Sequence, residues 1–327
     1  MQFSVYQESH IGGRKVNQDR MGYSFTRDAL LLLLADGMGG HLHGEIAAQL
    51  AMQVVSQRFQ SQATPYVKKP ELFLEESLLA AHHAIHRYRV EHNLTETPRT
   101  TVVACLIQHN TATWAHCGDS RLYWMRGGQI LARTRDHSHV ESLIAKGLVA
   151  PSARATHPDR NKLYNCLGAS AAPQIELSRR ASLLPGDLML LCSDGVWSML
   201  DDADLAERLR THTIVRAVPD MLRAALAVGG AHSDNATALA IMWQGSTPVD
   251  GANSIDRASV ISTEALPDDL VSSTIQGMPE LDPAPATVET AAVETAAVET
   301  DAFDDDAIEK AIAEIRGAIE KSSQVLK

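Results

Sequence analysis

Acidic residues stand at the ends of apolar segments at several places along this 327-residue chain. The run ALLLLLAD ends in Asp36, the run LMLLCSD ends in Asp194, and glycine follows both. Asp119 lies between two strand-like segments, Asp234 directly precedes the last such segment, and Asp19 precedes the second. Because an unbroken apolar run predicts a buried strand, we expect these five carboxylates to meet at one edge of a sheet sandwich.

A group of carboxylates this close together requires a cation. Unpaired carboxylates repel one another and their pKa values rise, and a divalent cation removes that repulsion. An all-oxygen ligand set with few histidines suits hard ions such as Mg²⁺ or Mn²⁺ rather than Zn²⁺. A glycine at position 37 also lets its backbone carbonyl approach an ion closely. The pattern therefore predicts a Mg²⁺ or Mn²⁺ site on the strand that ends at Asp36.

The segments that position these residues are strands in blocks, with helices in pairs between them. Apolar spacing typical of helices covers residues 46–54 and 74–88, and further helical pieces cover 203–210 and 219–228. Strand-like segments occupy the intervals before, between and after these helices. This order favours an α+β fold with antiparallel sheets covered by helices over alternating βαβ units.

Charge and composition exclude several classes of protein. Residues 251–327 contain 16 Asp and Glu against 5 Lys and Arg, which accounts for the net charge of −11. The first 250 residues are therefore neutral and lack the basic stripe that nucleic-acid binding needs. The longest apolar run, 29–35, is far shorter than the about 20 residues of a membrane span. Four scattered cysteines without a CxxC pair indicate reduced thiols and a cytoplasmic location.

The composition changes after about residue 244. Residues 1–244 have the composition of one packed domain, whereas 245–303 are rich in proline, alanine, threonine and acid, which predicts a disordered linker. Residues 304–327 place Ile308, Ile312, Ile315 and Ile319 on one stripe, which predicts a short amphipathic helix. An isolated helix of this length is marginal in water, so we expect it to need a partner surface.

Eight motifs in order carry a resemblance to a known family: GGRKVNQD, LLADGMGGH, RTTVVA, CGDSRLY, TRDHSHV, HPDRNKLYNCLG, LLCSDGVW and SDNATAL. Over roughly residues 1–243 the chain resembles the bacterial type 2C metal-dependent protein serine/threonine phosphatases. The resemblance implies a sandwich of two antiparallel β-sheets flanked by helices. It also implies hydrolysis of phosphoserine and phosphothreonine on proteins by a water that bridges two ions, in opposition to a bacterial Ser/Thr kinase.

The resemblance assigns the metal ligands by position. Asp36 would bridge two Mn²⁺ or Mg²⁺ ions. Asp194 and Asp234 would complete the first ion, and the Gly37 carbonyl would bind the second. Asp119, together with Asp194, would hold the third, weaker ion of bacterial members.

Further residues of the same motifs surround these ligands. The resemblance implies that Asp19 orients metal-bound water and that Arg14 grips the substrate phosphate, since a guanidinium fork matches two phosphate oxygens. Asn235 would orient Asp234. Gln18 stands where many members have a glutamate that serves the second ion, so the affinity of that ion is in question.

The general acid is a second departure from the family. Eukaryotic relatives place a histidine two residues after the bridging aspartate, and this chain has Met38 there. His41 and His43 lie nearby, and either of them or solvent would protonate the leaving group. His137 is assigned a structural role. Residues 146–168 match the flap beside the active site of bacterial members.

Three other interpretations stay open at this stage. One is a pseudo-phosphatase that acts as a non-catalytic regulatory binding module. Another is a phosphatase for anti-sigma antagonist proteins, which would use the same catalytic core. In the third, the C-terminal helix is the principal feature and serves either as a tether to a partner or as a self-association element.

Overall fold

The computed structural model describes residues 1–38, 43–160, 162–245, 259–268 and 270–276. Six α-helices occur in these residues: α1 (Gly44–Gln62), α2 (Pro70–Glu91), α3 (His139–Ala145), α4 (Asp194–Trp197), α5 (Asp202–Thr211) and α6 (Ile214–Gly229). The strands are β1 (Gln2–His10), β2 (Asp19–Phe25), β3 (Ala29–Asp36), β4 (Val102–Gln108), β5 (Thr111–Cys117), β6 (Arg121–Arg126), β7 (Gln129–Arg133), β8 (Glu176–Leu177), β9 (Ala181–Ser182), β10 (Leu188–Cys192), β11 (Ala236–Gly245), β12 (Val260–Ser262) and β13 (Ser272–Gln276).

The strands form two antiparallel sheets. The first has the order β12-β1-β11-β10-β6-β7, and the second has the order β13-β2-β3-β4-β5-β8, with β9 also pairing with β5. Helices α1 and α2 pack on the second sheet, and α4, α5 and α6 pack on the first. The α+β sandwich with helices on both outer faces, expected from the sequence, is confirmed.

The leucine run of β3 is buried on both faces. Leu30, Leu32 and Leu34 belong to the core between the two sheets, whereas Leu31 and Leu33 belong to the core under α1 and α2. A strand covered on both faces needs apolar residues at every position, which is why the run shows no polar alternation. This double burial holds the end of β3, and therefore Asp36, on a rigid support.

The helices of the described residues do not include a membrane span. The longest of them, α2, has 22 residues and contains several charged and histidine side chains. None of these helices has a stretch that is both long and apolar enough to cross a bilayer.

Two strands correct the prediction of a disordered linker over 245–303. β12 pairs with β1 and β13 pairs with β2, so each sheet gains an edge strand. The average composition of this region conceals a short apolar stretch, and Ile261 and Leu266 pack against the core between the sheets. Thr263 is fully buried, and its hydroxyl donates to the Arg27 carbonyl oxygen at 2.6 Å. The remaining linker residues and the predicted helix over 304–327 lie outside the described residues.

These two strands yield a stability prediction. A chain that ends at Gly245 exposes the edges of β1 and β2 and leaves the Arg27 carbonyl without Thr263. We expect its free energy of unfolding to fall by about 2 kcal/mol or more, since each hydrogen bond lost contributes about 1 kcal/mol. Urea denaturation measures the difference, and a chain that ends at Gln276 is the control. Equal stability of the two truncated chains would contradict the prediction.

Candidate metal centre

Five carboxylates from both sheets meet at one edge of the sandwich. Asp19 begins β2 and Asp36 ends β3, and the two residues are direct partners in the register of these strands. Asp119 lies between β5 and β6, Asp194 is the first residue of α4 after β10, and Asp234 stands two residues before β11. Each of the other four is close enough to raise the pKa of Asp36 by its negative charge.

Burial and mutual repulsion disturb the protonation of this group. Burial raises the pKa of Asp36 and that of Asp119 well above the ordinary value. Repulsion adds to this effect, from the other four carboxylates for Asp36 and from Asp194 and Asp136 for Asp119. Burial and the charges of Asp234 and Asp19 raise the pKa of Asp194 to about 7. Burial also raises the pKa of Asp19. Carboxyl groups in this state gain stability from a bound cation, which compensates both the lost hydration and the repulsion.

One buried oxygen in the group has no hydrogen-bond partner. Asp19 is 4% exposed, and its Oδ2 accepts a hydrogen bond from Ser193 Oγ at 2.8 Å. Its Oδ1 accepts none from the residues that the structure describes. Buried carboxylate oxygens are almost always hydrogen-bonded or bound to a cation or water. The unpartnered oxygen beside Asp36 and Asp194 therefore fits a hard divalent cation with its water shell.

The backbone after Asp36 is held by close contacts. The Asp36 carbonyl oxygen accepts hydrogen bonds from Thr101 N and Thr100 Oγ1, both at 2.8 Å. The N–H of Gly37 donates to the Gln18 carbonyl oxygen at 3.2 Å. A Cβ at position 37 would lie only 2.4 Å from the carbonyl oxygen of Gly44. Only glycine at position 37 therefore allows α1 to begin this close to the end of β3.

Arg14 and Asn235 lie at the same edge. Arg14 Nη2 donates to Asp234 Oδ2 at 2.6 Å, and the Arg14 side chain is 52% exposed. The backbone N–H of Asn235 donates to Asp234 Oδ1 at 2.8 Å. The Asn235 side chain does not hydrogen-bond to Asp234 but binds the loop before β2. Its Nδ2 donates to the Ile11 carbonyl oxygen and its Oδ1 accepts from Gln18 N, both at 2.8 Å. Asn235 thus connects Asp234 to the loop that carries Arg14.

Several contacts at this edge are not visible in the sequence. The Gln18 side-chain amide donates to Glu45 Oε2 at 3.1 Å, so the departure from glutamate at position 18 is accompanied by a carboxylate from the first turn of α1. Thr101, directly before β4, donates to the Asp36 carbonyl oxygen, and Ser193 donates to Asp19. Ser193 adjoins Asp194 and could have been found from its motif. Thr101 belongs to the motif RTTVVA, but its partner Asp36 is far away along the chain, and Glu45 lies in none of the eight motifs.

One of the two candidate general acids lies in the part of the chain that the structure describes, and the four thiols are buried. His43 precedes α1 in a left-handed conformation, with φ of 69°, and His41 lies outside the described residues. All four cysteines are buried and unpaired. Burial raises the pKa of Cys192 to about 12, which keeps this thiol protonated at neutral pH.

Comparison with known proteins decides the family. A profile of the protein phosphatase 2C family matches residues 6–229, which is more than half of the chain. The chain belongs to this family. It is therefore a metal-dependent protein serine/threonine phosphatase of the bacterial type, which confirms the resemblance drawn from the eight motifs.

Individual relatives agree with this assignment. The serine/threonine phosphatase stp of Listeria innocua is 27% identical over 231 residues, which is 70% of this chain and 90% of that protein. The serine/threonine protein phosphatase PstP of Mycobacterium tuberculosis is 31% identical over 211 residues, but the match covers only 39% of that protein. Its crystal structure has a TM-score of 0.65 at 29% identity, covering 75% of this chain and 100% of the other. A PstP catalytic domain in complex with two manganese ions has a TM-score of 0.63 at 27% identity, covering 74% and 98%.

The pKa of Asp194 predicts an unusual dependence of stability on pH. Its value of about 7 in the folded protein lies above the ordinary value of 3.8, so the folded state binds more protons than the unfolded state between these two values. In EDTA we therefore expect the free energy of unfolding to fall as pH rises from 5 to 8, by on the order of 2–4 kcal/mol.

Urea denaturation across this pH range measures the trend. Asp194→Asn, which has no proton to lose at this position, is the control and should show a shallower slope. Saturating Mn²⁺ should reverse the trend, because a cation binds the ionised carboxylates. A stability of the EDTA-treated wild-type protein that is flat or rises over this range would contradict the prediction.

Proposed function

We propose that this chain hydrolyses phosphoserine and phosphothreonine on proteins with the help of two Mn²⁺ or Mg²⁺ ions. The observation that supports this most is the partly buried group of repelling carboxylates with the unpartnered Asp19 Oδ1, in a chain that belongs to the protein phosphatase 2C family. The two manganese ions bound by the similar PstP catalytic domain support the number and kind of ions.

The proposed ligand set is the one that the family resemblance implies, and the closeness of the five carboxylates supports it. Asp36 is proposed to bridge the two ions, with Asp194 and Asp234 on the first and the Gly37 carbonyl on the second. Asp119 and Asp194 are proposed to hold a third, weaker ion. When bound, the ions acidify a water molecule and neutralise charge that develops on the phosphoryl group.

Asp19 and Gln18 are proposed to act on the waters around the ions. Asp19 has one oxygen fixed by Ser193, which leaves Oδ1 free to accept a hydrogen from such a water. Gln18 is oriented by its contact with Glu45, and the Glu45 carboxylate restores at this place the negative charge that glutamine lacks.

Arg14 is proposed to bind the substrate phosphate. Its guanidinium group is half-exposed and pairs with Asp234, one of the proposed ligands. The five N–H donors of a guanidinium allow Arg14 to keep one contact with Asp234 while others face two phosphate oxygens. In this proposal the guanidinium supplies positive charge to a phosphoryl group on which negative charge develops during the reaction.

We propose direct hydrolysis, without a covalent phosphoenzyme. Ser120 follows Asp119 but is 1% exposed, and its hydroxyl is hydrogen-bonded to Thr101 Oγ1 at 2.7 Å. All four cysteines are buried, and burial raises the pKa of each thiol. Water is therefore the nucleophile that this site favours.

The cellular setting is a further part of the proposal. Relatives named as serine/threonine protein phosphatases support a phosphoprotein substrate, and we propose that the chain opposes a bacterial Ser/Thr kinase in the cytoplasm. The apolar stripe of residues 304–327 is proposed to bind a partner. Comparing dephosphorylation of a protein substrate by the full chain and by a chain ending at Gln276 tests that role of the tail.

The metal ligands give a direct test by mutation. We expect Asp194→Asn to lower kcat for p-nitrophenyl phosphate by at least about 100-fold, because it removes a charged ligand from an ion that activates water. Asp204→Asn, on the exposed part of α5, is the matched control and should retain activity. Hydrolysis is measured with Mn²⁺, Mg²⁺, Zn²⁺ or EDTA. Folded wild-type protein that is inactive with every metal would favour the non-catalytic binding module instead.

The role of Arg14 predicts a different kinetic change. We expect Arg14→Ala to lower kcat/KM for a phosphoserine peptide by about 10–100-fold, the effect of losing charge-assisted hydrogen bonds. Arg14→Lys should recover only part of this loss, since an ammonium lacks the planar fork. Lys15→Ala, one residue away, serves as the control. Wild-type kcat/KM in Arg14→Ala would exclude a phosphate contact.

A further inference from the structure

His137 has more contacts than a histidine that only fills space. It lies after β7 and two residues before α3, and its side chain is 5% exposed. It stands between two parts of the chain that are distant in sequence. One is the loop of Asp119, and the other is the return arm of the flap, defined here as residues 162–168.

Two hydrogen bonds join His137 to the residue before Asp119. The backbone N–H of Gly118 donates to His137 Nδ1 at 3.1 Å, and the backbone N–H of His137 donates to the Gly118 carbonyl oxygen at 2.9 Å. Gly118 has φ of 116°, and a Cβ there would lie 2.5 Å from Thr101 Cβ. The loop therefore has little freedom while both hydrogen bonds are present.

The return arm contacts His137 from the other side. Tyr164 N donates to the His137 carbonyl oxygen at 3.0 Å. Asn165 Nδ2 lies 2.7 Å from His137 Nδ1. The orientation of this amide is defined independently, because Asn165 Oδ1 accepts from Gln174 N at 3.0 Å. The return arm and Gly118 thus share one acceptor atom on His137.

The same contacts define the tautomer of His137. Because Gly118 N–H and the Asn165 amide both donate to Nδ1, that nitrogen carries no hydrogen, and Nε2–H donates to Glu176 Oε2 at 3.3 Å. His116, His137 and Glu176 have ligand atoms within 4.8 Å of one another. A metal ion would need the lone pair of Nε2, which the hydrogen occupies, and metal-binding histidines normally donate from their other nitrogen. The cluster is therefore a hydrogen-bonded link rather than a metal site.

We propose that His137 is a positioning residue that joins the return arm of the flap to the loop of Asp119. Nδ1 is the essential atom, because it accepts from Gly118 and from Asn165 together. The placement of Asp119 towards a cation then depends on the return arm, although no residue of that arm ligates the ion. This inference rests on the proposed function only for the statement that Asp119 binds a metal.

Two substitutions at position 137 separate positioning from packing. Asparagine places its side-chain oxygen near the position of Nδ1, whereas glutamine places its polar end near Nε2 and lacks an acceptor at Nδ1. In the full chain we expect His137→Gln to weaken the Mn²⁺ ion that depends on Asp119 by at least about tenfold, the effect of losing a residue that orients a ligand. His137→Asn should stay within about threefold of wild type. Asp119→Asn identifies that ion by losing it.

Mn²⁺ titration followed by electron paramagnetic resonance of the free ion gives the number of sites and their affinities. Selective weakening of the Asp119-dependent ion in His137→Gln, with recovery in His137→Asn, supports the proposal. Equal weakening in both variants, or no change in His137→Gln, overturns it. A Zn²⁺ ion that is lost in His116→Ala but kept in Asp119→Asn also overturns it, since the cluster would then be a metal site.

Hydrogen exchange of the metal-free protein tests the link without any ion. We expect residues 118–120 to exchange faster in His137→Gln and in Asn165→Leu, and at the wild-type rate in His137→Asn. Unchanged exchange in His137→Gln overturns the link. Absence of Mn²⁺ binding by the wild-type chain, with the expected exchange pattern, contradicts the proposed function and leaves the link supported.

Discussion

Five carboxylates share one partly buried edge of the sandwich, and the free energy that this arrangement costs is the constraint on which the rest of the structure depends. Burial and repulsion raise the pKa of Asp36, Asp119 and Asp194, so the ionised form of these carboxyl groups is less stable in the folded chain than in water. A bound divalent cation offsets both effects. Affinity for metal is thus a consequence of how the fold gathers its acids.

The buried strands hold the carboxylates close together against their mutual repulsion. β3 is buried on both faces, and its end is hydrogen-bonded to Thr100 and Thr101. The two sheets bring Asp36 and Asp194 together, because β3 and β10 belong to different sheets that share the same core. Apolar burial along the whole of these strands therefore opposes the repulsion at their ends.

Hydrogen bonds outside the ligand set give each acid its place. Ser193 fixes Asp19, Asn235 ties Asp234 to the loop of Arg14, and His137 holds the loop of Asp119. Ser193 and His137 come from distant segments, whereas Asn235 is the sequence neighbour of Asp234, so these three acids are held by three different parts of the fold. Such outer contacts orient ligands and adjust their affinity.

Local pattern was sufficient for much of the fold. The apolar runs, the aspartates at their ends and the helical spacings predicted the sandwich, and the ordered motifs predicted the family. These signals are readable because strand and helix periods, and residues next to the proposed ligands such as Ser193, are properties of short segments. The linker prediction was wrong at 259–268 and 270–276, since average composition conceals a few apolar residues that find an open sheet edge.

Tertiary structure alone decided the contacts between distant segments. Asp19 pairs with Asp36, and Gln18 contacts Glu45. His137 links Asn165 to Gly118. The residues in each of these contacts are from 17 to 28 positions apart along the chain. The sequence by itself determined which residues carry the charge and where strands support them. Their mutual distances were decided by strand register and sheet packing, because these depend on the whole core and leave no trace in any one segment.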